Sequence, residues 1–69
     1  MTEIVFLVEE EPSGGYNARA LGESIFTQGA DLDTLRENIR DAVRCHFDDE
    51  SKRPKMIRLH LVRDEVIAA

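Results

Sequence analysis

The side chains able to do chemistry are few and scattered. They are Cys45, His46 and His60, the acidic run Glu9-Glu10-Glu11, and the polar residues Asn17, Arg19 and Arg58. Cys45 and His46 are adjacent, but neighbours on a helix point about 100° apart, so they do not pair on one metal, and a third donor at ligand spacing is missing. His46 belongs to an apolar helical stripe and His60 to a strand face, so each reads as a core or boundary histidine. Cys45, beside Arg44, reads as a half-buried, inert thiol rather than an activated one. No catalytic residue, metal ligand or cofactor site is expected. On this reading the chain is not an enzyme.

Binding is the better use of these residues. Glu9-Glu10-Glu11 reads first as a solvated turn, because charge runs usually face water, and second as a recognition patch for a basic partner. Tyr16, Asn17 and Arg19 come after it, beyond the Pro12–Gly15 turn, and the candidate partner-binding set is Glu9, Glu10, Glu11, Tyr16, Asn17 and Arg19. Val5, Leu7, Arg58 and His60 form a candidate dimer face. Asn17, Arg19, Arg58 and His60 are placed on the sheet face away from the helix, where they would meet an acidic partner or RNA, or form the polar rim of a dimer contact.

The 69 residues carry a net charge of −5 and are 42% hydrophobic and 33% charged, an ordinary balance for one small globular domain. A chain this short buries only about 60% of the surface its unfolded form exposes, so added burial from a second copy is expected. The acidic balance argues against a surface that tracks nucleic-acid phosphates and for a basic partner. No apolar run approaches the roughly 18 residues of a membrane span. Met1-Thr2-Glu3 lacks the basic start of a secretory signal, and one cysteine allows no internal disulfide, so a cytoplasmic location is expected.

The elements that must position these residues are legible. Glu3 to Val8 (EIVFLV) is too short for a helix and rich in β-branched and aromatic residues, hence a strand. It is apolar on both faces, Ile4, Phe6 and Val8 against Val5 and Leu7, as a central strand is. A turn at Glu9 to Gly15 leads to an alternating strand, Tyr16 to Leu21. A reversal at Leu21-Gly22-Glu23 leads to a third strand, Ser24 to Gln28. Asp31 is the N-cap candidate of a helix with the stripe Leu32, Leu35, Ile39, Ala42, Val43, His46 and Phe47. Asp33–Arg36, Glu37–Arg40 and Asp41–Arg44 lie three apart on its outer face. Pro54 bars the helix from continuing, and Met56 to Val62 alternates as the fourth strand, before a tail of uncertain state over 62–69. The order β-β-β-α-β, with two hairpins and a helical crossover, predicts an α+β fold. Its single mixed four-stranded sheet runs in the order 3-2-1-4, with one helix on one face.

Gly14-Gly15-Tyr16, Thr27-Gln28-Gly29 and the helical pattern Leu32…Asn38…Ala42-Val43, in this order and spacing, resemble the N-terminal domain of the HicB antitoxin family. The resemblance implies the same β-β-β-α-β arrangement, described as a partial ribonuclease-H-like sheet. It further implies a non-enzymatic, antitoxin-type protein that covers and neutralises a small basic RNA-targeting toxin. The family's Pro-x-x-Pro-Gly-Cys segment is shortened here to Leu21-Gly22-Glu23-Ser24-Ile25. Val62 to Ala69 is too short for the family's C-terminal DNA-binding module, so operator binding by this chain alone is not expected. A ribonuclease-H-like nuclease would need carboxylates within the central strand to hold metals. Glu3 and Glu9 stand at opposite ends of it, roughly 20 Å apart by strand rise. The alternative is an orphan regulatory module of the same fold that binds another protein or a small ligand.

Overall fold

A computed structural model describes residues 2–69. The strands are β1 (Glu3–Glu10), β2 (Tyr16–Ala20), β3 (Phe26–Gly29) and β4 (Met56–Val62). One helix, α1 (Leu32–His46), joins β3 to β4, with a single 3-10 turn at Glu50–Lys52 after it. The fold is α+β, with the strands in the order β3-β2-β1-β4. β1 is antiparallel to β2 and parallel to β4, and β2 is antiparallel to β3. The doubly apolar EIVFLV segment is therefore central, as its composition requires.

Alternation then sorts the side chains. Ile4, Phe6 and Val8 of β1 and Ala18 and Ala20 of β2 face the helix and are buried together with Ile25, Leu35, Ile39 and Val43. The small alanines let α1 settle close over β2 and β3, the strands it lies nearest. Truncating a fully buried Leu35 or Ile39 would cost about 2–5 kcal/mol, a large share of a small domain's stability.

Several boundaries differ from the sequence reading. β1 extends to Glu10, because its last two residues still pair with Asn17 and Tyr16. β3 starts at Phe26, two residues late, while Ile25 still turns into the core. Cys45 is exposed, not half-buried, because it points off the Leu35–Ile39–Val43 stripe. His60 is exposed too, since nothing covers its side of the sheet. The 3-10 turn was not foreseen. It forms where Asp49 accepts hydrogen bonds from the Ser51 hydroxyl at 2.7 Å and its amide at 3.0 Å.

Helix α1 starts and stops on local chemistry. Asp31 Oδ1 accepts from the Thr34 amide at 2.7 Å, satisfying one of the free amides of the first turn. At the other end Arg53 Nε donates to the Phe47 carbonyl at 3.1 Å. Outer-face ion pairs join Arg36 to Asp33 at 2.8 Å and Arg44 to Asp41 at 2.9 Å, with a looser Arg40–Glu37 pair at 3.8 Å. All are exposed and contribute little.

The tightest junction is between β3 and α1. A Cβ on Gly29 would lie 2.6 Å from the Leu35 backbone nitrogen, so only glycine lets the strand end against the helix's first turn. A Cβ on Gly15, at φ +86°, would lie 3.1 Å from the Gly29 carbonyl oxygen. The hairpin turn thus packs on the same point.

Two outcomes test this account. Gly29→Ala should destabilise the fold by about 1–3 kcal/mol, seen in urea as a lower midpoint at unchanged slope. Hydrogen bonds hold three carboxyls below their ordinary values, Asp31 by the Thr34 amide, Asp49 by the Ser51 hydroxyl and Glu3 by the Arg58 guanidinium. A depressed folded value stabilises the native state fully above the unfolded value, near pH 4, and that contribution is lost as pH falls through the folded value. Thermal stability should therefore decline on acidification below about pH 4. Asp31→Asn keeps a capping side chain but should flatten that acid limb; an unchanged limb would remove Asp31 from the explanation.

Candidate functional site

Two surfaces hold the side chains singled out by the sequence. The first is an open cleft of about 560 Å³ where the β1–β2 turn, the end of β3 and the first half of α1 meet. Its walls include Glu11, Ser13, Tyr16, Gln28, Thr34 and Asn38. The turn is closed by hydrogen bonds from the Glu11 amide to the Gly15 carbonyl at 2.9 Å and from the Gly14 amide to the Glu11 carbonyl at 3.0 Å. Gly14 at φ +99° and Gly15 at φ +86° both occupy backbone conformations that side chains disfavour. Asn17 Nδ2 donates to Glu11 Oε1 at 2.8 Å, fixing one acidic side chain of the turn. Across the cleft Asn38 Nδ2 donates to the Gln28 carbonyl at 2.7 Å, tying α1 to β3.

The three segments that carry the family resemblance, Gly14-Gly15-Tyr16, Thr27-Gln28-Gly29 and the helix around Asn38, are distant in the chain and adjoin this one cleft. Part of the reason is structural: the glycines permit close packing, and Asn38 holds β3 to the helix. Of the acidic run only Glu11 reaches this cleft; Glu9 and Glu10 are exposed and border a separate hollow with Pro12, Val62 and Arg63.

The second surface is the sheet face away from α1. Register places Phe26, Arg19, Leu7 and His60 in one row across all four strands. The adjoining row pairs Val5 with Arg58. The candidate dimer residues Val5, Leu7, Arg58 and His60 are thus brought together. Arg58 grips Glu3 with both arms of its guanidinium, Nε to Oε1 at 2.7 Å and Nη2 to Oε2 at 3.3 Å. The hydrogen bond from Arg58 holds the Glu3 carboxyl below its usual range, and Arg58 is raised in turn. Phe26, 64% exposed, and Met56 extend the apolar part of this face. Phe26 was not among the sequence-derived candidates, although it is the one large apolar side chain on the outer side of its strand.

The six candidate partner-binding residues do not share a face. Glu9, Asn17 and Arg19 lie with the open sheet face by their register, Glu10 and Tyr16 turn to the helix side, and Glu11 sits in the turn. His46 stands at the boundary, its Nε2 3.2 Å from Glu23 Oε2 and its ring edge-on to Phe47. It links the end of α1 to the β2–β3 turn. Among the described residues no three histidine, cysteine or acidic side chains converge as a metal site would require. No helix among them is long and apolar enough to cross a membrane.

Comparison with known proteins finds no matching family model and no matching solved structure. Two curated relatives do match. A UPF0150 protein of Archaeoglobus fulgidus is 57% identical over 53 residues, which cover 77% of this chain and 77% of the relative. A UPF0150 protein of Thermotoga maritima is 46% identical over 66 residues, covering 96% of this chain and 91% of the relative. At that identity, over that share of both chains, this protein belongs to the UPF0150 family.

Proposed function

We propose that this protein is a non-enzymatic binding module of the HicB antitoxin type, acting as a cytoplasmic homodimer that covers a small, basic, RNA-targeting toxin. One observation carries the reading. The three segments that resemble the HicB family adjoin a single polar cleft, whose wall includes the acidic Glu11 held in place by Asn17.

The mechanism follows from charge and shape. A toxin that cleaves RNA must present a basic surface to phosphates. Glu9, Glu10 and the Glu11 carboxylate held by Asn17 compete for that surface, and the cleft supplies hydrogen-bonding groups that fix orientation. The net charge of −5 favours rapid encounter with a basic partner, at a rate that falls with added salt. Catalysis is not part of this proposal. The outward residues of β1 between its end carboxylates Glu3 and Glu9 are Val5 and Leu7, so the two carboxylates stand apart at opposite ends of the strand and Glu3 is engaged by Arg58.

The test is to co-purify this protein with the small basic protein encoded beside it and to measure affinity by calorimetry at several salt concentrations. Binding at low micromolar concentration or tighter, weakening as salt rises, is expected. The triple change Glu9→Lys, Glu10→Lys, Glu11→Lys should weaken it by roughly tenfold or more, through lost attraction and new repulsion. No association at moderate salt, or a neighbouring frame that encodes no basic protein, would sink the toxin reading.

A further inference from the structure

The C-terminal residues 63–69 are the least accounted-for part of the chain. They have no regular secondary structure and are exposed throughout, with Val66 96% and Ile67 78% accessible. The molecule measures 51 × 20 × 18 Å. A seven-residue strand such as β4 spans only about 23 Å, as does the helix, so the tail runs outward beyond the body. Two adjacent β-branched residues held in water on an extended segment are unexplained by the fold.

The same molecule has an unfilled groove. α1 lies over β2 and β3, so the helix side of β4 is only partly covered: Ile57 and Leu59 are half-buried and Leu61 is 56% exposed. Ile57, Leu59 and Ile39 line a groove of about 330 Å³ rimmed by Arg36 and Arg40. β4 is also an edge strand, with one side of its backbone unpaired along its length. The groove is apolar with a basic rim, while the tail Asp64-Glu65-Val66-Ile67 is apolar with an acidic start.

The tail cannot fill the groove of its own chain. A hairpin around Asp64-Glu65 would lay Val66 and Ile67 beside Arg63 and Val62, short of Leu59. Reaching further would strip the end of β4 from β1, where Val62 pairs with Glu9. A second copy has no such restriction. Two β4 strands set antiparallel, edge to edge about a two-fold axis near Val62, carry each tail along the partner's β4.

We infer that residues 63–69 of one copy form a strand on the β4 edge of a second copy, in reciprocal exchange. With the axis at Val62, alternation places Ile67 opposite Ile57 and Glu65 opposite Leu59 on the helix side, and Val66 opposite Arg58 and Asp64 opposite His60 on the outer face. Glu65 then lies on the helix side beside the groove rimmed by Arg36 and Arg40. The pairs Arg36 now makes with Asp33 and Arg40 with Glu37 are exposed and exchange readily. The result is one continuous eight-stranded sheet, and it leaves the Val5–Leu7–Arg58–His60 face open. This specifies the homodimer of the proposed function but does not depend on the toxin, so its test is made on the protein alone.

Sedimentation equilibrium and amide hydrogen exchange on the full chain decide it. The wild type should be dimeric in the micromolar range, with protection of residues 63–69 and β4 rising with protein concentration. Val66→Asp with Ile67→Asp should weaken dimerisation by about a hundredfold, while the circular dichroism and melting of the monomer stay intact, because the tail lies outside the core. Arg36→Glu with Arg40→Glu should weaken it as well, and adding Glu65→Lys should restore it. A wild type that remains monomeric would overturn the proposal. So would a dimer that keeps wild-type affinity in the Val66, Ile67 variant, or one whose tail stays unprotected.

Discussion

A helix about 10 Å across must cover a sheet of four strands spaced about 4.8 Å apart, and it reaches only part of the way. Most of this molecule's surface character follows from that mismatch. α1 settles over β2 and β3, where Ala18 and Ala20 allow a close approach, and the core closes beneath it around Phe6, Leu35 and Ile39. β4 gains its hydrogen bonds from β1 but little cover for Ile57, Leu59 and Leu61. The opposite face of the sheet has no layer over it. Phe26, Leu7 and Val5 lie among Arg19, His60 and the Glu3–Arg58 pair there, a mixed surface that tolerates water and could tolerate a partner.

The close-packed junction of Gly15, Gly29 and Leu35 is the other half of the design. It brings a turn, a strand end and a helix start within van der Waals distance, and a side chain at Gly29 would collide with backbone that has nowhere to go. Asn38, bonded to the Gln28 carbonyl, braces the same point from the helix. The polar cleft is the concave consequence of that junction. Residues that hold the fold therefore also shape the cleft, and a substitution at the glycines would disturb both.

The order of elements, the central place of EIVFLV, the N-cap at Asp31 and the three outer-face ion pairs were legible because each rests on local rules of alternation, helical spacing and turn chemistry. The two sheet faces were legible as well, since strand alternation fixes which residues point together. The cleft was not. Gly14-Gly15-Tyr16 and Thr27-Gln28-Gly29 are short motifs that carry no mark of adjacency, and only the antiparallel pairing of β2 with β3 brings Tyr16 opposite Gly29. Cys45 and His60 were misjudged for a related reason: exposure depends on how far a single helix extends its cover, and periodicity does not encode that distance.

What the sequence by itself determined was the set of elements and their polarity. Periodic placement of apolar residues is a local property, and it survives without knowledge of neighbours. What only the tertiary structure decided was where the cover runs out. The helix's offset toward β3 leaves the groove beside β4, and the outward course of residues 63–69 leaves Val66 and Ile67 in water. Both depend on how close two surfaces can come, which here is set by glycines and alanines acting across the fold.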